Sequence, residues 1–250
     1  MKVKHAKKRL DLLLVELQLA ESQEKAQAMI LAGEVRVNGM NAQKAGSTFD
    51  PEAHVEVHSR SLKYASRGGF KLAGALEDFH VMAARKICLD IGASTGGFTD
   101  CLLQQGATRV YAVDVNTDQL SWKLREDKRV VFQKRNAREL QPGDIPELVD
   151  LIVADVSFIS VTRVLKPAVA VAKDGAEFLI LIKPQFELPK ELVGEGGIVT
   201  DKTLHEKAIC TVRDAASALG LKNIAVLPSR LTGAEGNQEY FLHAIKKAVE

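Results

Sequence analysis

The stretch Ile87-Cys-Leu-Asp-Ile-Gly-Ala-Ser-Thr-Gly-Gly-Phe-Thr-Asp100 decides how the larger part of this chain folds. It opens as a short, mostly apolar strand, continues through three glycines at Gly92, Gly96 and Gly97, and enters a helical pattern at Phe98. A strand that leads through a glycine-rich loop into a helix is typical of nucleotide-like ligand sites, because glycine lets the backbone approach the ligand closely. For the loop taken alone, an ordinary strand-to-helix turn is the alternative.

Two carboxylates near this loop favour S-adenosylmethionine over a triphosphate or a dinucleotide. The loop has no P-loop lysine, and its glycine spacing departs from the G-x-G-x-x-G dinucleotide fingerprint. Asp90 precedes the first glycine, and Asp114 ends the next predicted strand. We therefore expect Asp90 to lie near the methionine ammonium group and Asp114 to accept hydrogen bonds from both ribose hydroxyls.

Composition indicates a globular protein of one or two domains. The chain has 250 residues, of which 46% are hydrophobic and 26% charged. Neither a membrane-spanning apolar run nor a signal-peptide pattern is visible, so we expect no membrane association. The three cysteines and six histidines have no metal-ligand spacing, and the odd cysteine count argues against a disulfide framework. These features predict a cytoplasmic protein without a metal site.

Positive charge is concentrated at the start of the chain. Residues 1–71 carry 12 Lys and Arg against 8 Asp and Glu, whereas the remainder carries 22 against 24. A basic leading segment on a nearly neutral body favours a polyanionic partner, and a merely solvated tail is the alternative.

The first part of the chain is predicted to be a small α+β domain. Apolar residues recur at helical spacing within residues 7–32, where Ser22 is placed to cap the second of two helices and Gly33 to end it. A strand over residues 34–38 then enters an Asn-Gly turn, the pair that most favours a hairpin, and a second strand is expected near residues 54–57.

This region resembles the S4-type RNA-binding domain over about residues 1–60. The pattern that carries the resemblance is Lys8-Arg9-Leu10-Asp11…Ser22-x-x-x-Ala26…Ile30-x-x-Gly33-x-Val35-x-Val37-Asn38-Gly39. In that family the two helices present basic side chains to structured RNA, mainly to its phosphates. The resemblance implies RNA contacts by Lys7, Lys8, Arg9, Lys25 and Arg36, to which we add Arg67. A packing module without RNA is the alternative.

A linker and an α/β domain are predicted to follow. Residues 61–70 mix serine, glycine and charge, as linkers do, and residues 71–250 alternate between helical and strand patterns. Helices are expected over residues 71–79 and 202–219. Strands are expected over residues 87–91, 110–115, 130–133, 151–154, 177–182, 224–228 and 240–244. The first five are short, apolar and β-branched, as in a parallel sheet covered on both faces.

Four polar residues are predicted to meet where ligands bind in such sheets, beyond the carboxyl ends of the strands. Asp155 follows the fourth strand and Lys183 the fifth. Glu239 reaches the same edge if the last strand is antiparallel, and Lys71 could reach it from the first helix. We expect these side chains to converge beside the methyl group of the cofactor. A cluster of ion pairs that merely tolerates burial is the alternative.

This set of side chains suits methyl transfer to a ribose 2′-hydroxyl. The hydroxyl is a weak nucleophile, so its orientation and deprotonation are the main tasks. Lys183 is expected to hydrogen-bond the hydroxyl and to take up its proton or ease its removal, with Asp155 and Glu239 orienting Lys183. Lys71 is expected to hold the ribose or a phosphate. The carboxylates favour charged Lys183 and burial favours neutral Lys183, so both states stay open.

The order Lys71, Asp155, Lys183, Glu239 resembles the tetrad of the FtsJ-type ribose 2′-O-methyltransferases. With Arg67-Gly-Gly-Phe-Lys71-Leu and Asp155-Val-Ser-Phe-Ile159-Ser, the whole chain is similar to the hemolysin-A-like (TlyA) proteins. These join an S4-type RNA-binding domain to a Rossmann-like, S-adenosylmethionine-dependent methyltransferase domain. The resemblance implies methylation of cytidine ribose in ribosomal RNA, with ribosomal subunits as partners. The residues expected at the cofactor are Asp90, Gly92, Ser94, Thr95, Gly96, Gly97, Phe98, Asp114, Asn136, Ala137 and Asp155, with Asn136 and Ala137 near the adenine.

Two other function classes stay open. One is an RNA-binding or ribosome-assembly factor that has lost catalysis, and the other is a membrane-active hemolysin, which the absence of an amphipathic or spanning segment disfavours. Trp122 is expected either to pack within the fold or to border the adenine. The loop over residues 194–197 is expected either to close over substrate or to be plain surface.

Overall fold

The computed structural model describes residues 7–17, 19–20, 22–31, 34–42, 44–51, 53–57, 63–116, 119–233 and 235–248. The chain divides into two compact units, residues 1–62 and residues 63–250. Gly33, predicted to end the second helix, lies outside the described residues.

The first unit combines two helices with short antiparallel strands. Its elements are β1 (Lys8–Arg9), α1 (Leu10–Glu16), α2 (Gln23–Leu31), β2 (Val35–Val37), β3 (Met40–Asn41), β4 (Thr48–Phe49) and β5 (Val55–Val57). Leu10 and Leu14 of α1, Ala26 and Ile30 of α2, and Val35 of β2 form one buried apolar cluster. The helical spacing of apolar residues therefore marks the faces that the two helices bury.

The Asn-Gly turn is confirmed. Asn38 and Gly39 have φ values of 50° and 80°, the left-handed pair that a two-residue hairpin turn requires, and Val37 pairs with Met40 across it. The predicted strand near residues 54–57 also forms, but it pairs with the other edge of β2. The sequence pattern missed β3, because a strand of two residues has no periodicity to detect.

The second unit is built on one seven-stranded sheet. Its strands are β6 (Ile87–Ile91), β7 (Arg109–Asp114), β8 (Val130–Lys134), β9 (Val149–Ala154), β10 (Ala172–Ile182), β11 (Leu221–Pro228) and β12 (Tyr240–Lys246). The order across the sheet is β11-β12-β10-β9-β6-β7-β8. Strands β6 to β10 pair in parallel with one another, whereas β12 is antiparallel to both of its neighbours. Every predicted strand is present, and β10 starts five residues before its predicted start.

Helices cover both faces of this sheet. They are α3 (Arg67–Asp78), α4 (Gly97–Gln104), α5 (Trp122–Arg125), α6 (Thr162–Val171), α7 (Pro184–Glu187) and α8 (Lys202–Ala218), with 3-10 turns at Ala137–Glu139, Lys190–Leu192 and Glu195–Gly197. Neighbouring residues of one strand belong to different apolar clusters: Leu89 packs with α6 and α8, and Cys88 with α3 and α4. Burial on both faces explains why the strands are continuously apolar.

Helix α3 begins four residues earlier than predicted, inside the stretch expected to be a linker. Its first turn contains a glycine pair, which in sequence indicates flexibility. In the structure Gly69 allows close packing instead, because a Cβ there would lie 2.3 Å from the Cβ of buried Tyr64. The backbone N–H of Ala65 also donates to Asp100 Oδ2 of α4 at 2.7 Å. Residues 63–70 are therefore packed into the second unit.

The glycine loop brings the carboxyl ends of β6 and β9 together. Gly92 has a φ of 84°, and a Cβ on it would lie 2.3 Å from the carbonyl oxygen of Asp155. Beside it, the backbone N–H of Asp155 donates to the carbonyl oxygen of Ile91 at 2.9 Å. Only glycine fits both the backbone conformation and this contact.

We expect Gly92→Ala to lower the free energy of unfolding by about 2 kcal/mol or more, because it adds both left-handed strain and a backbone clash. Chemical denaturation measures this. The matched control is Gly143→Ala, since a Cβ there meets nothing within 4 Å. Equal stability of the two variants would contradict the role given to Gly92.

Candidate active site

A cavity of about 390 Å³ lies at the carboxyl ends of β6, β7 and β9. Strand order reverses between β6 and β9, since β7 continues on one side of β6 and β10 on the far side of β9. Such a reversal opens a crevice in doubly wound sheets. The residues that line the cavity are Gly92, Ser94, Val113, Asp114, Val115, Asn116, Gln119, Arg135, Asn136, Ala137, Asp155, Val156, Ser157, Phe158 and Ile159.

The cavity brings together about half of the residues expected at a cofactor. These are Gly92, Ser94, Asp114, Asn136, Ala137 and Asp155. Asp114 is held firmly, because its Oδ2 accepts from the backbone N–H of Ser94 at 2.9 Å and its Oδ1 from that of Asn116 at 2.8 Å. Each carboxylate oxygen keeps acceptor capacity for a further donor.

Other members of the expected cofactor set lie outside the lining, in packing positions. A Cβ on Gly96 would lie 2.2 Å from Leu124 Cδ1, and one on Gly97 would lie 2.2 Å from Ser66 Oγ. Phe98 is buried and stacks on Phe241 with ring centroids 6.1 Å apart. Thr95 is half-buried, and its carbonyl oxygen accepts from the backbone N–H of Ser121 at 3.2 Å. The second half of the glycine loop thus serves helix packing.

Asp90 is fully buried beneath this loop. Its Oδ2 accepts from Thr99 Oγ1 at 2.6 Å, while its Oδ1 has no hydrogen-bond partner among the described residues. Burial, with smaller contributions from the charges of Asp155 and Asp114, raises the pKa of Asp90 to about 7. The fold therefore disfavours the ionised form of this carboxyl.

Asp90→Asn is expected to change how stability depends on pH. A raised folded-state pKa gives stability that is fully present below the unfolded value of about 4 and is lost as pH rises to about 7. Relative to the parent protein, the unfolding free energy of the variant should therefore increase across that window. At about 1.4 kcal/mol per pKa unit the gain reaches ~4 kcal/mol and then stays level.

Chemical denaturation of parent and variant at pH ~5 to ~8 measures this difference. Asp127→Asn is the matched control: Arg129 lowers the pKa of Asp127, so its effect on stability should be constant over the same range. If the unfolding free energies of the parent and Asp90→Asn change in parallel with pH, the fold does not raise the pKa of Asp90.

The four predicted polar residues form two ion pairs at the carboxyl edge of the sheet. Lys183 Nζ lies 2.6 Å from Asp155 Oδ1 and donates to Ser157 Oγ at 2.9 Å. Lys71 Nζ lies 2.5 Å from Glu239 Oε2. Both lysines and Glu239 are buried. Burial raises the pKa of Glu239, while its bond to Lys71 and the charge of nearby Lys183 lower it.

The pairing of Glu239 differs from the expectation. Glu239 was expected to orient Lys183, but its hydrogen-bonded partner is Lys71. The antiparallel direction of β12 is confirmed: Ile182 pairs with Tyr240, which sets Lys183 and Glu239 at the same edge. Lys183 finds its carboxylate on the other side, because β9 runs parallel to β10 and Asp155 follows its last residue, Ala154.

Sequence reasoning gave no role to two residues beside Lys183. Ser157 accepts the second hydrogen bond of Lys183. Phe158 is 88% exposed, has a φ of 67° and lies 5.3 Å from the ring of Phe186. A bulky residue in the left-handed region is rare and concentrates at functional sites. Both residues follow Asp155 closely at the carboxyl end of a predicted strand. That position in the sequence is the signal that could have marked them as site residues.

The structure also bears on two minor expectations. Trp122 is 71% exposed, so the expected packing within the fold is wrong, and it is not among the residues that line the cavity. The loop over residues 194–197 is anchored, since Asn237 Nδ2 donates to the carbonyl oxygen of Gly197 at 2.8 Å. The backbone N–H of Val199 donates back to Asn237 Oδ1 at 2.9 Å.

The basic residues expected to bind RNA are exposed. They are Lys7, Lys8, Arg9, Lys25 and Arg36 in the first unit and Arg67 in the second. Arg9 has a further role: its guanidinium donates twice to buried Asp11, at 3.0 and 2.7 Å, and holds the pKa of that carboxyl well below its usual range. Lys8 pairs with Glu16 at 2.6 Å. Lys25 on α2 is thus a better probe of RNA binding than Arg9.

Comparison with known proteins gives matches over both units. A model of the FtsJ-like methyltransferase family matches residues 64–246, and a model of the S4 domain matches residues 8–55. A 16S/23S rRNA (cytidine-2′-O)-methyltransferase of Mycobacterium tuberculosis is 46% identical over 94% of this chain and 88% of its own length. Hemolysin A of Brachyspira hyodysenteriae is 43% identical, over 90% of this chain and 94% of its own.

A solved structure agrees with these matches. The structure, described as a candidate hemolysin from Streptococcus thermophilus, has a TM-score of 0.77 and 40% identity, and covers 96% of this chain and 89% of its own. Among the residues described for the present chain, no helix is both long enough and apolar enough to cross a bilayer.

Proposed function

The chain belongs to the FtsJ-like methyltransferase family and carries an S4 domain, and we propose that it methylates a ribose 2′-hydroxyl of ribosomal RNA with S-adenosylmethionine as donor. The observation that carries this proposal is the pair of buried lysine–carboxylate contacts beside the cavity at the carboxyl edge of the sheet. Cytidine is the proposed target, since the Mycobacterium tuberculosis relative is named for cytidine in 16S and 23S rRNA. Such a substrate would place its action in the cytoplasm.

The cavity suits S-adenosylmethionine, which supplies an activated methyl group when bound. Asp114 is the proposed ribose ligand, because its carboxylate is fixed by two backbone donors and can still accept from hydroxyls. Asn136 and Ala137 would border the adenine, and Gly92 would let the backbone approach the cofactor. Asp90 would hold the glycine loop in place through its bond from Thr99. Its Oδ1 is a buried acceptor without a hydrogen-bond partner among the described residues.

Lys183 is the proposed catalytic residue. Its ammonium has three donors, of which Asp155 and Ser157 take two, so one is left for the oxygen of the target hydroxyl. A charged donor in a buried site stabilises the negative charge that develops on that oxygen as its proton leaves. Asp155 orients Lys183 and is the neighbouring carboxylate that can take the proton.

Lys71 and Glu239 form the proposed substrate-holding pair. Glu239 is a buried carboxylate that fixes Lys71 at the same edge as Lys183. A cation held in this way would position the target ribose or its phosphate, where orientation contributes much of the rate. A protein that only binds RNA has no need of two buried lysines, each with its own carboxylate.

Phe158 offers an apolar face to the RNA. Its ring is exposed, its backbone is strained, and it adjoins Ser157, which bonds the catalytic lysine. Enzymes that act inside a folded nucleic acid must expose the target nucleotide, and aromatic rings stack on the displaced base.

Lys183→Ala is expected to reduce methyl transfer by at least about 10²-fold while leaving cofactor affinity within about twofold, because Lys183 acts on the hydroxyl. Transfer of labelled methyl groups to ribosomal subunits, with mapping of the modified nucleotide, measures this. Lys173→Ala is the matched control, since Lys173 pairs with Asp150 at a surface ion pair. Parental activity of Lys183→Ala would refute the assignment.

Lys25→Ala should weaken RNA binding. It should also lower the slope of log Kd against log salt concentration by about one, as expected when one phosphate contact is lost. Binding to ribosomal RNA at several salt concentrations measures this. Lys44→Ala removes another exposed lysine of the first unit from outside the predicted set. An unchanged salt slope in Lys25→Ala, or the same change in both variants, would reject the proposed RNA-binding position.

A further inference from the structure

We propose that Glu187 is a positioning residue for methyl transfer: it locks the segment that carries Asp155 and Ser157 against α7, so that both side chains hold Lys183. The inference rests on the proposed function. Glu187 is not among the residues that line the cavity, and its carboxylate bonds Ser160 and Val161. It would act through the geometry of the residues that touch Lys183.

Both oxygens of the Glu187 carboxylate are used. Ser160 Oγ donates to Oε2 at 2.5 Å, and the backbone N–H of Val161 donates to Oε1 at 2.8 Å. Ser160 Oγ also accepts from the backbone N–H of Thr162 at 3.2 Å. The carboxylate thus fixes three consecutive residues at the end of the segment that starts at Asp155.

This contact adds to the capping of helix α6, where Ser160 Oγ already accepts from the backbone N–H of Thr162. Helix α6 starts at Thr162, and its N-cap residue, Val161, has no side-chain oxygen to offer. A carboxylate at a helix N-terminus stabilises the exposed N–H groups and the positive end of the helix dipole. Glu187 supplies that carboxylate from another element. Its burial raises its pKa, and the bonds from Ser160 and Val161 oppose this rise.

Glu187 makes the last of three contacts between two short segments, residues 155–161 and residues 183–187. Lys183 bonds Asp155 and Ser157 at one end. In the middle, the rings of Phe158 and Phe186 lie 5.3 Å apart. The Glu187 bonds close the far end. Between its two ends the first segment contains Phe158 in the left-handed region, a strained conformation that persists only where the surroundings enforce it.

Without the closing contact, the segment can relax its strain and move Asp155 and Ser157 relative to Lys183. We expect Glu187→Ala to lower kcat about 10- to 100-fold, since displacements of about 1 Å in a catalytic group have effects of this size. The KM for RNA should change less than about twofold, and the Kd for S-adenosylmethionine should rise by a smaller factor than kcat falls, since Asp155 and Ser157 line the cavity but Lys183 does not. Glu187→Gln should recover most of kcat, because its amide can accept from Val161 and donate to Ser160.

Glu191→Ala is the matched control, since Glu191 is an exposed glutamate on the adjacent turn. A double-mutant cycle that combines Glu187→Ala with Ser157→Ala distinguishes a positioning effect on kcat from a general loss of stability. If Glu187 acts through Ser157 and Lys183, its removal should cost clearly less kcat in the Ser157→Ala background than in the parent. Equal losses in the two backgrounds, or loss of cofactor affinity in parallel with kcat, would overturn the proposal.

The controls keep this inference distinct from the proposed function. A parent protein that methylates ribosomal RNA, with Glu187→Ala folded and as active as the parent, refutes the role of Glu187 alone. A parent protein without methyl transfer refutes the proposed function. If Glu187→Ala does not fold, Ser160→Ala removes one of the two donors and should lower kcat in the same direction. Parental kcat in Ser160→Ala would then overturn the proposal.

Discussion

The contact between Lys183 and Asp155 is the interaction on which the site depends. Both residues follow buried, parallel strands, and the register of β9 and β10 brings their side chains within 2.6 Å of each other. Burying a lysine is costly unless a carboxylate and further acceptors satisfy it, and here Asp155 and Ser157 do so. The sheet thus holds the Lys183 amine, already oriented, against Asp155 and Ser157, which line the cavity.

A second pair, Lys71 with Glu239, reaches the same edge by a different route. Lys71 comes from the helix before the first strand of the sheet, and Glu239 from the start of its last, antiparallel strand. The pair therefore ties the two ends of the second unit to the carboxyl edge of the sheet. Burial raises the pKa of Glu239 and its bond to Lys71 lowers it, so loss of either partner would leave the other buried and uncompensated.

The glycines of the loop show that one motif can serve two purposes. Gly92 lines the cavity and passes against the carbonyl oxygen of Asp155, so it joins the cavity to the residue that pairs with Lys183. Gly96 and Gly97 face Leu124 and Ser66, where they let α4 pack closely on its neighbours. The glycines of this loop therefore serve helix packing as well as the shape of the cavity.

The sequence by itself determined the two units, the strands of the sheet, the Asn-Gly turn and the four polar residues that meet at the carboxyl edge of the sheet. These follow from local patterns, since alternation, apolar runs and turn residues act over a few positions. Only the tertiary structure decided that Glu239 pairs with Lys71, that Gly69 lies in the first turn of a packed helix, and that Glu187 helps to cap α6. Each of these depends on distances between segments far apart in the chain. Strand register and side-chain packing set those distances, and the local periodicity of the sequence does not predict them.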